Sequence, residues 1–216
     1  MNVDATIAHL EALSGTLEGT GNLTVTGPTT DSGGSYLGAG ALNLQGDSTF
    51  DGGGFFSTIN RTINNTGDAV FTGGQRNGSP LGVWNNLAGS TAVVEDGWDF
   101  NDDGDTGTPA AVFHNQAGAT LRSTTADSLP ENDMRWQLQN DGLVEVLQGE
   151  LWLQSGGTSS GHVDIAAGAV LNHYTPESEN FSYSGSVVSA GELIVNGLVT
   201  FAPGSSYSSS GTTKLN

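Results

Sequence analysis

The chain has no cysteine among its 216 residues, which excludes disulfides and thiolate metal sites. Basic residues are nearly missing. Arg61, Arg76, Arg122, Arg135 and Lys214 stand singly against 23 acids, for a formal charge of −18. Nucleic-acid affinity rests on clustered lysine and arginine, so binding to a phosphate backbone is not expected. Polyanionic sugars are poor partners for the same reason. No apolar run reaches membrane-spanning length, so no membrane insertion is expected. The first residues lack the basic and apolar regions of a signal peptide, and an exported protein would carry its signal outside this sequence. Charged residues make up only 13% of the chain, and the carboxylates lie scattered between alternating apolar residues. A disordered acidic tail would bunch them.

What is abundant is glycine, 33 residues of it, and repetition. The stretches "NNTGDAVFTGG" from Asn64, "NNLAGSTAVVED" from Asn85, "HNQAGATLRS" from His114 and "QNDGLVEVLQG" from Gln139 align on Asn65, Asn86, Asn115 and Asn140. Two positions before each asparagine stands an apolar residue: Ile63, Trp84, Phe113 and Leu138. A glycine follows two or three residues after it, then a short alternating segment. Asparagine and glycine suit turns, the first by capping its own backbone, the second by adopting positive φ without strain. The unit reads as strand, corner, strand.

A second pattern, "GLVEVLQGELWLQ" or "GHVDIAAGAVLN", encloses period-two alternation between glycine corners, which no amphipathic helix would give. Units of 20 to 30 residues are too short to bury an apolar face alone and must stack on their neighbours. Their unequal spacing fits a coil of constant size with loops bulging from its corners, the longest being "EDGWDFNDDGDTGTP". The fold expected is all-β: a single right-handed parallel β-solenoid of about eight coils over residues 14–216, built from stacked side-chain ladders. The competing fold, a β-sandwich, would need antiparallel hairpins. Alternation turns Val144, Val146, Leu151 and Leu153 inward and Glu145 and Trp152 outward. Residues 1–13 read as a capping helix, with Val3, Ile7 and Leu10 on one face behind Asp4. No comparable cap closes the other end, so the chain reads as cut from a longer protein.

"SGTLEGTGNLTVTG", "RTINNTGDAVFTGG", "AVFHNQAGATLRS", "LVEVLQGELWLQSGGTSSGHVDIAAGAVLN" and "SGSVVSAGELIVNGLVTF" resemble, in order, the glycine-rich repeat regions of very large bacterial surface and secreted proteins. These belong with the parallel β-helices of autotransporters and filamentous-haemagglutinin-type adhesins. The resemblance spans nearly the whole chain, from about Ser14 to Phe201. It implies a stalk, spacer or adhesive surface outside the cell, and no catalytic motif. The loop "DFNDDGDTG" and the insertion "HYTPESENFSYS" depart from the family pattern, and a special function would sit there.

Candidate sites are few. Asp99, Asn101, Asp103 and Asp105 alternate around Gly104 as in the opening of a calcium loop, where hard oxygen ligands converge on a tight turn. Ala110 stands where that motif needs a bidentate acid, so the competing reading is an acidic surface loop. Trp84 and Trp136 read as core. Trp98, in the acidic loop, and Trp152, between Glu150 and Gln154, are the candidates for stacking on a neutral glycan. His9, His114, His162 and His173 share no metal-ligand spacing, and His114 reads as a corner residue in place of asparagine. The threonines of "NLTVTG" do not extend into a flat threonine ladder, because the positions read as equivalent are Leu, Gln, Glu and Ile. Adjacent acids Asp102 and Asp103 point opposite ways when extended, and periodicity pairs nothing with Arg122 or Arg135. Fold analogy cannot supply an active site. The expectation is a non-enzymatic structural or adhesive segment, with neighbouring domains, copies of itself or host and cell surfaces as partners. The alternative is an extracellular polysaccharide-binding or polysaccharide-cleaving module.

Overall fold

A computed structural model describes residues 1–52, 58–102, 111–125, 131–176 and 179–216. Within them the chain forms thirty short strands and no helix. Every third strand joins the same sheet, giving three ten-stranded sheets in which each strand pairs only with those one coil before and after. All the pairings are parallel, as between Thr62–Asn65 and Val83–Asn86 or Glu150–Leu153 and Val170–His173. The chain is a β-solenoid of ten rungs, about 4.8 Å apart.

Each rung visits the first, second and third sheet in turn. One four-residue corner recurs as Leu87–Ser90, Gln116–Ala119 and Ala202–Ser205 after the first sheet and as Ala166–Ala169 after the second, each closed by a backbone bond from its fourth residue to its first at 2.9–3.1 Å. The third residue is Gly89, Gly118, Gly168 or Gly204, with φ between 84° and 93°. That conformation strains any residue with a Cβ, and the proline of the last corner, Pro203, occupies the position a type II turn favours.

Alternation within each strand sends every second side chain inward. Ile63, Trp84, Phe113 and Leu138 are in register on successive rungs and fully buried, as the repeat implied. Phe50 and Phe71 stack at 5.0 Å in the second sheet, and Phe100 of the third meets Phe113 of the first at 5.3 Å. The middle rungs therefore share one aromatic core. Beside it, Asn65, Asn86, Asn115 and Asn140 form the corner ladder, each donating to the next at 3.2, 3.0 and 2.8 Å. Asn140 closes it on Ser159 Oγ at 2.9 Å. The ladder starts at Asn65 because the residue below in register is Leu44, which leaves Asn65 Oδ1 buried without a partner.

Two expectations need correction. Residues 1–13 are not a helix but two strands of the first rung, Ala5–Ile7 and Leu10–Ala12, paired with Leu23–Val25 and Thr29–Asp31. Two three-residue strands around a two-residue corner place apolar residues at intervals that mimic a helix, and pairing with the next rung decides the outcome. Asp4, read as a helix cap, accepts the Asn22 backbone N–H of the second rung at 2.8 Å. The solenoid accordingly has ten rungs, not about eight. The outermost rungs, at Ala5–Leu17 and Leu198–Leu215, each leave one strand edge unpaired.

Candidate functional site

Five basic residues face 23 acids, and two of the five are inside the solenoid. Arg76 occupies the inward position in register with Phe100 and is fully buried. Its Nη2 lies 3.0 Å from Asp31 Oδ1, equally buried. Asp31 also accepts the Tyr36 hydroxyl at 2.7 Å and the backbone N–H groups of Gly33 and Gly34, each at 2.8 Å. Burial, then the charge of Asp31, pushes the Tyr36 hydroxyl well above its ordinary pKa. Arg61 sits buried at the corner between third and first sheets. It donates to the carbonyls of Gly40 and, at 2.7 Å, of Gly21, so it ties three successive rungs together. Both arginines are structural staples.

The predicted calcium ligands divide. Asp99 and Asn101 lie on the outward side of the strand Asp99–Asp102, flanking inward Phe100, while Asp103 and Asp105 lie outside the described residues. Among the described residues no group of three or more His, Asp or Glu is arranged to hold a metal. Asp99 is instead in register with Asp133, and Asp133 with Trp152, in one outward column of the third sheet. Burial, reinforced by the neighbouring Asp133 carboxylate, raises the Asp99 pKa to about 6. Burial also raises Asp133, against the lowering effect of a Gln154 hydrogen bond and of Arg135, whose guanidinium lies 3.5 Å away.

The tryptophans separate more sharply than the sequence implied. Trp84 and Trp136 are core. Trp98 is not an exposed glycan contact: it is fully buried, 5.3 Å from Phe71 and 6.0 Å from Phe100, with Arg76 5.7 Å over its ring. The acids around it disguised a corner residue turned into the core. Trp152 does point outward, hydrogen-bonded through Nε1 to Glu150 at 2.7 Å and packed 5.9 Å from the exposed ring of Tyr174. This pair, with Asp133 and Asp99 on the preceding rungs, is the cluster on the third sheet best suited to contact a ligand.

His114 is not the corner residue, because the corner belongs to Asn115. It stands one position earlier, on the outward side, and meets Asp141 at 3.0 Å. His173 is buried in the interior against the Tyr183 hydroxyl at 2.7 Å, and burial lowers its pKa to about 3. The outward column of the first sheet also differs from expectation. The equivalents of Thr24 are Asn43, Asn64 and Asn85, not Leu, Gln, Glu or Ile. Their amides form a second ladder, Asn85 to Asn64 and Asn64 to Asn43, each at 2.8 Å. The doubled asparagines Asn64–Asn65 and Asn85–Asn86 were the signal for it: one of each pair turns in and the other out.

No protein-family model, no curated protein and no solved structure matches the chain.

Proposed function

We propose that this chain is a non-enzymatic rod, a spacer or adhesive segment of a large bacterial surface or secreted protein, working outside the cell beside neighbouring domains or copies of itself. One observation carries the reading: among the described residues, the polar groups that converge in the interior are bonded to each other. Asn65, Asn86, Asn115 and Asn140 bond one to the next, Asp31 holds Arg76 and Tyr36, and His173 holds Tyr183. Each of these groups stabilises the stacking of rungs and none faces solvent. Continuous parallel pairing through ten rungs suits a part whose task is to hold a length. Electron microscopy with light scattering on the purified chain tests this: discrete rods about 45 Å long, or end-to-end assemblies of them, are expected. A reproducible turnover on any substrate, abolished by one substitution outside the core, would overturn the reading.

A second reading, a polysaccharide-binding or polysaccharide-cleaving module, draws support from the Trp152–Tyr174 pair beside Glu150 and from the raised carboxyls of Asp99 and Asp133. A glycan array and a reducing-sugar assay separate the two. This reading requires a signal that Trp152→Ala removes.

A further inference from the structure

The acidity of the chain is not shared equally among its three faces. The second sheet carries Glu11, Glu145 and Asp164 on outward positions, and the third carries Asp99, Asp133 and Glu150. The ten strands of the first sheet contain no Asp, Glu, Lys or Arg. From the second rung to the seventh its outward column runs Thr24, Asn43, Asn64, Asn85, His114 and Gln139. In a chain of net charge −18, the strands on this side of the rod carry no charged group besides His114, and their outward positions hold mostly amides and hydroxyls, with Val83, Val112 and Leu198 among them.

A groove of about 360 Å³ is cut into that side at the eighth rung, between Gln137 and Gln139 on one bank and Asn180 and Glu179 on the other, with Thr158 in its floor. Its cause is local. Gly156 and Gly157 stand where the preceding rung has Gln137 and Leu138, so an outward side chain is missing. A Cβ at Gly156 would come 2.8 Å from the Asn180 carbonyl oxygen. The single carboxylate at the rim is already engaged, since Glu179 accepts the Gly156 backbone N–H at 2.6 Å.

We propose that the first-sheet face binds an uncharged, hydroxyl-rich polymer, a neutral glycan chain, with this groove as its specific subsite. Amides and hydroxyls each offer both donors and acceptors, which is what a sugar hydroxyl needs. An anionic ligand finds no counter-charge here and a repulsive field around it, whereas a cationic one is drawn to the two acidic faces. A second copy is the other uncharged occupant. The strip is three or four residues wide, about 45 Å by 12 Å, so two copies would bury only about 1,000 Å² of polar surface, at the lower bound for a stable interface. The rung repeat of about 4.8 Å is close to the length of one pyranose unit in an extended chain, so successive sugars would meet equivalent side chains. The proposal shares its ligand class with the carbohydrate reading above but not its residues, because Trp152 and Tyr174 belong to the third sheet.

The test is affinity electrophoresis of the whole chain through gels containing hydroxyethylcellulose, mannan, arabinogalactan or dextran, with polygalacturonate as the charged control. Retardation by at least one neutral polymer and none by polygalacturonate is expected. The double variant Gln137→Ala, Gln139→Ala and the separate variant Thr158→Glu should each weaken retardation at least tenfold, while Trp152→Ala leaves it unchanged. Circular dichroism of the variants confirms that each is folded. Migration unaffected by every neutral polymer would overturn the proposal and leave the rod reading standing. Retardation lost in Trp152→Ala but kept in the glutamine variant would also overturn it, moving the site to the third sheet. So would a dimer, seen by light scattering, that the same glutamine substitutions abolish.

Discussion

The side-chain amide of Asn86 donates to the side-chain oxygen of Asn115 at 3.0 Å, although the two stand 29 positions apart in the chain. The same amide donates to the Thr120 carbonyl at 2.8 Å, and its oxygen accepts from Asn65 and from Ser90. A side chain holding four partners across three rungs acts as a rivet, and it is fully buried.

Replacing that rivet should therefore cost far more than replacing its sequence neighbour. Asn86→Leu strands buried donors and acceptors on both adjacent rungs, each worth about 1–3 kcal/mol. Asn85→Leu touches only the outward ladder and should change stability by less than about 1 kcal/mol. Urea midpoints of the two variants, compared with the parent chain, check this directly.

Core packing gives a second contrast. Trp84 lies 4.9 Å from Phe71 and 5.3 Å from Phe50 at the centre of the aromatic core. Trp84→Ser or Leu138→Ser should lose about 3–5 kcal/mol through the cavity left behind, whereas Trp152→Ser, on the outer face, should lose much less. Equal losses would mean that the inward and outward assignments are wrong.

The buried Asp31–Arg76 pair should behave unlike the surface pairs. Arg76→Met leaves a carboxylate uncompensated in the interior and should cost about 3–5 kcal/mol. Adding Asp31→Asn removes that charge, keeps an acceptor for Gly33 and Gly34, and should restore a good part of the loss. The Arg122–Glu145 pair, 40% and 22% exposed, should contribute no more than about 1 kcal/mol, and less in high salt. A double-mutant cycle at each pair, read by denaturant melts, gives both coupling energies.

Two groups should impose opposite pH trends. Asp99 holds its proton more tightly in the fold, with a pKa of about 6 against an ordinary 3.8. The folded state then binds more protons than the unfolded one in that interval, so the contribution of Asp99 to stability falls as pH rises through it. His173 is the reverse. Its folded pKa of about 3 lies below the ordinary 6.5, so the stability it contributes is present above pH 6.5 and is lost as pH falls towards 3. Relative to the parent chain, Asp99→Asn should gain stability as pH rises from about 4 to 6, and His173→Phe should gain as pH falls below 6.5. Thermal melts of the three proteins across that range would show the opposed slopes.

Much of the fold was legible because repetition makes register visible. Aligning four asparagines identified both the buried apolar column Ile63–Trp84–Phe113–Leu138 and the ladder beside it. The first rung was not legible, because Ile7 and Leu10 three apart satisfy a helix as readily as two short strands. Trp98 and Arg76 were missed for a shared reason: an acidic neighbourhood or a charged head suggests solvent, yet Trp98 fills the corner above Arg76 and Asp31 neutralises it. The groove on the first sheet left a trace in the doubled glycine Gly156–Gly157, where the neighbouring rungs carry Gln137–Leu138 and Asn180–Phe181. What that gap exposes depends on which face it opens, and only the register supplies that.

Disulfide trapping tests most directly that the chain is a rod of parallel rungs in register, because the chain has no cysteine of its own. Asn64 and Asn85 face outward and are paired in register on neighbouring rungs, about 4.8 Å apart between strands and within the Cα separation of about 4.4–6.8 Å that a disulfide accepts. Asn43 and Asn85 are two rungs apart, about 9.6 Å, and beyond that reach. Under mild oxidation the Asn64→Cys, Asn85→Cys chain should close an intramolecular disulfide rapidly and completely, while the Asn43→Cys, Asn85→Cys chain remains reduced as a monomer. Closure of the second pair with failure of the first would contradict the stacking of rungs in register.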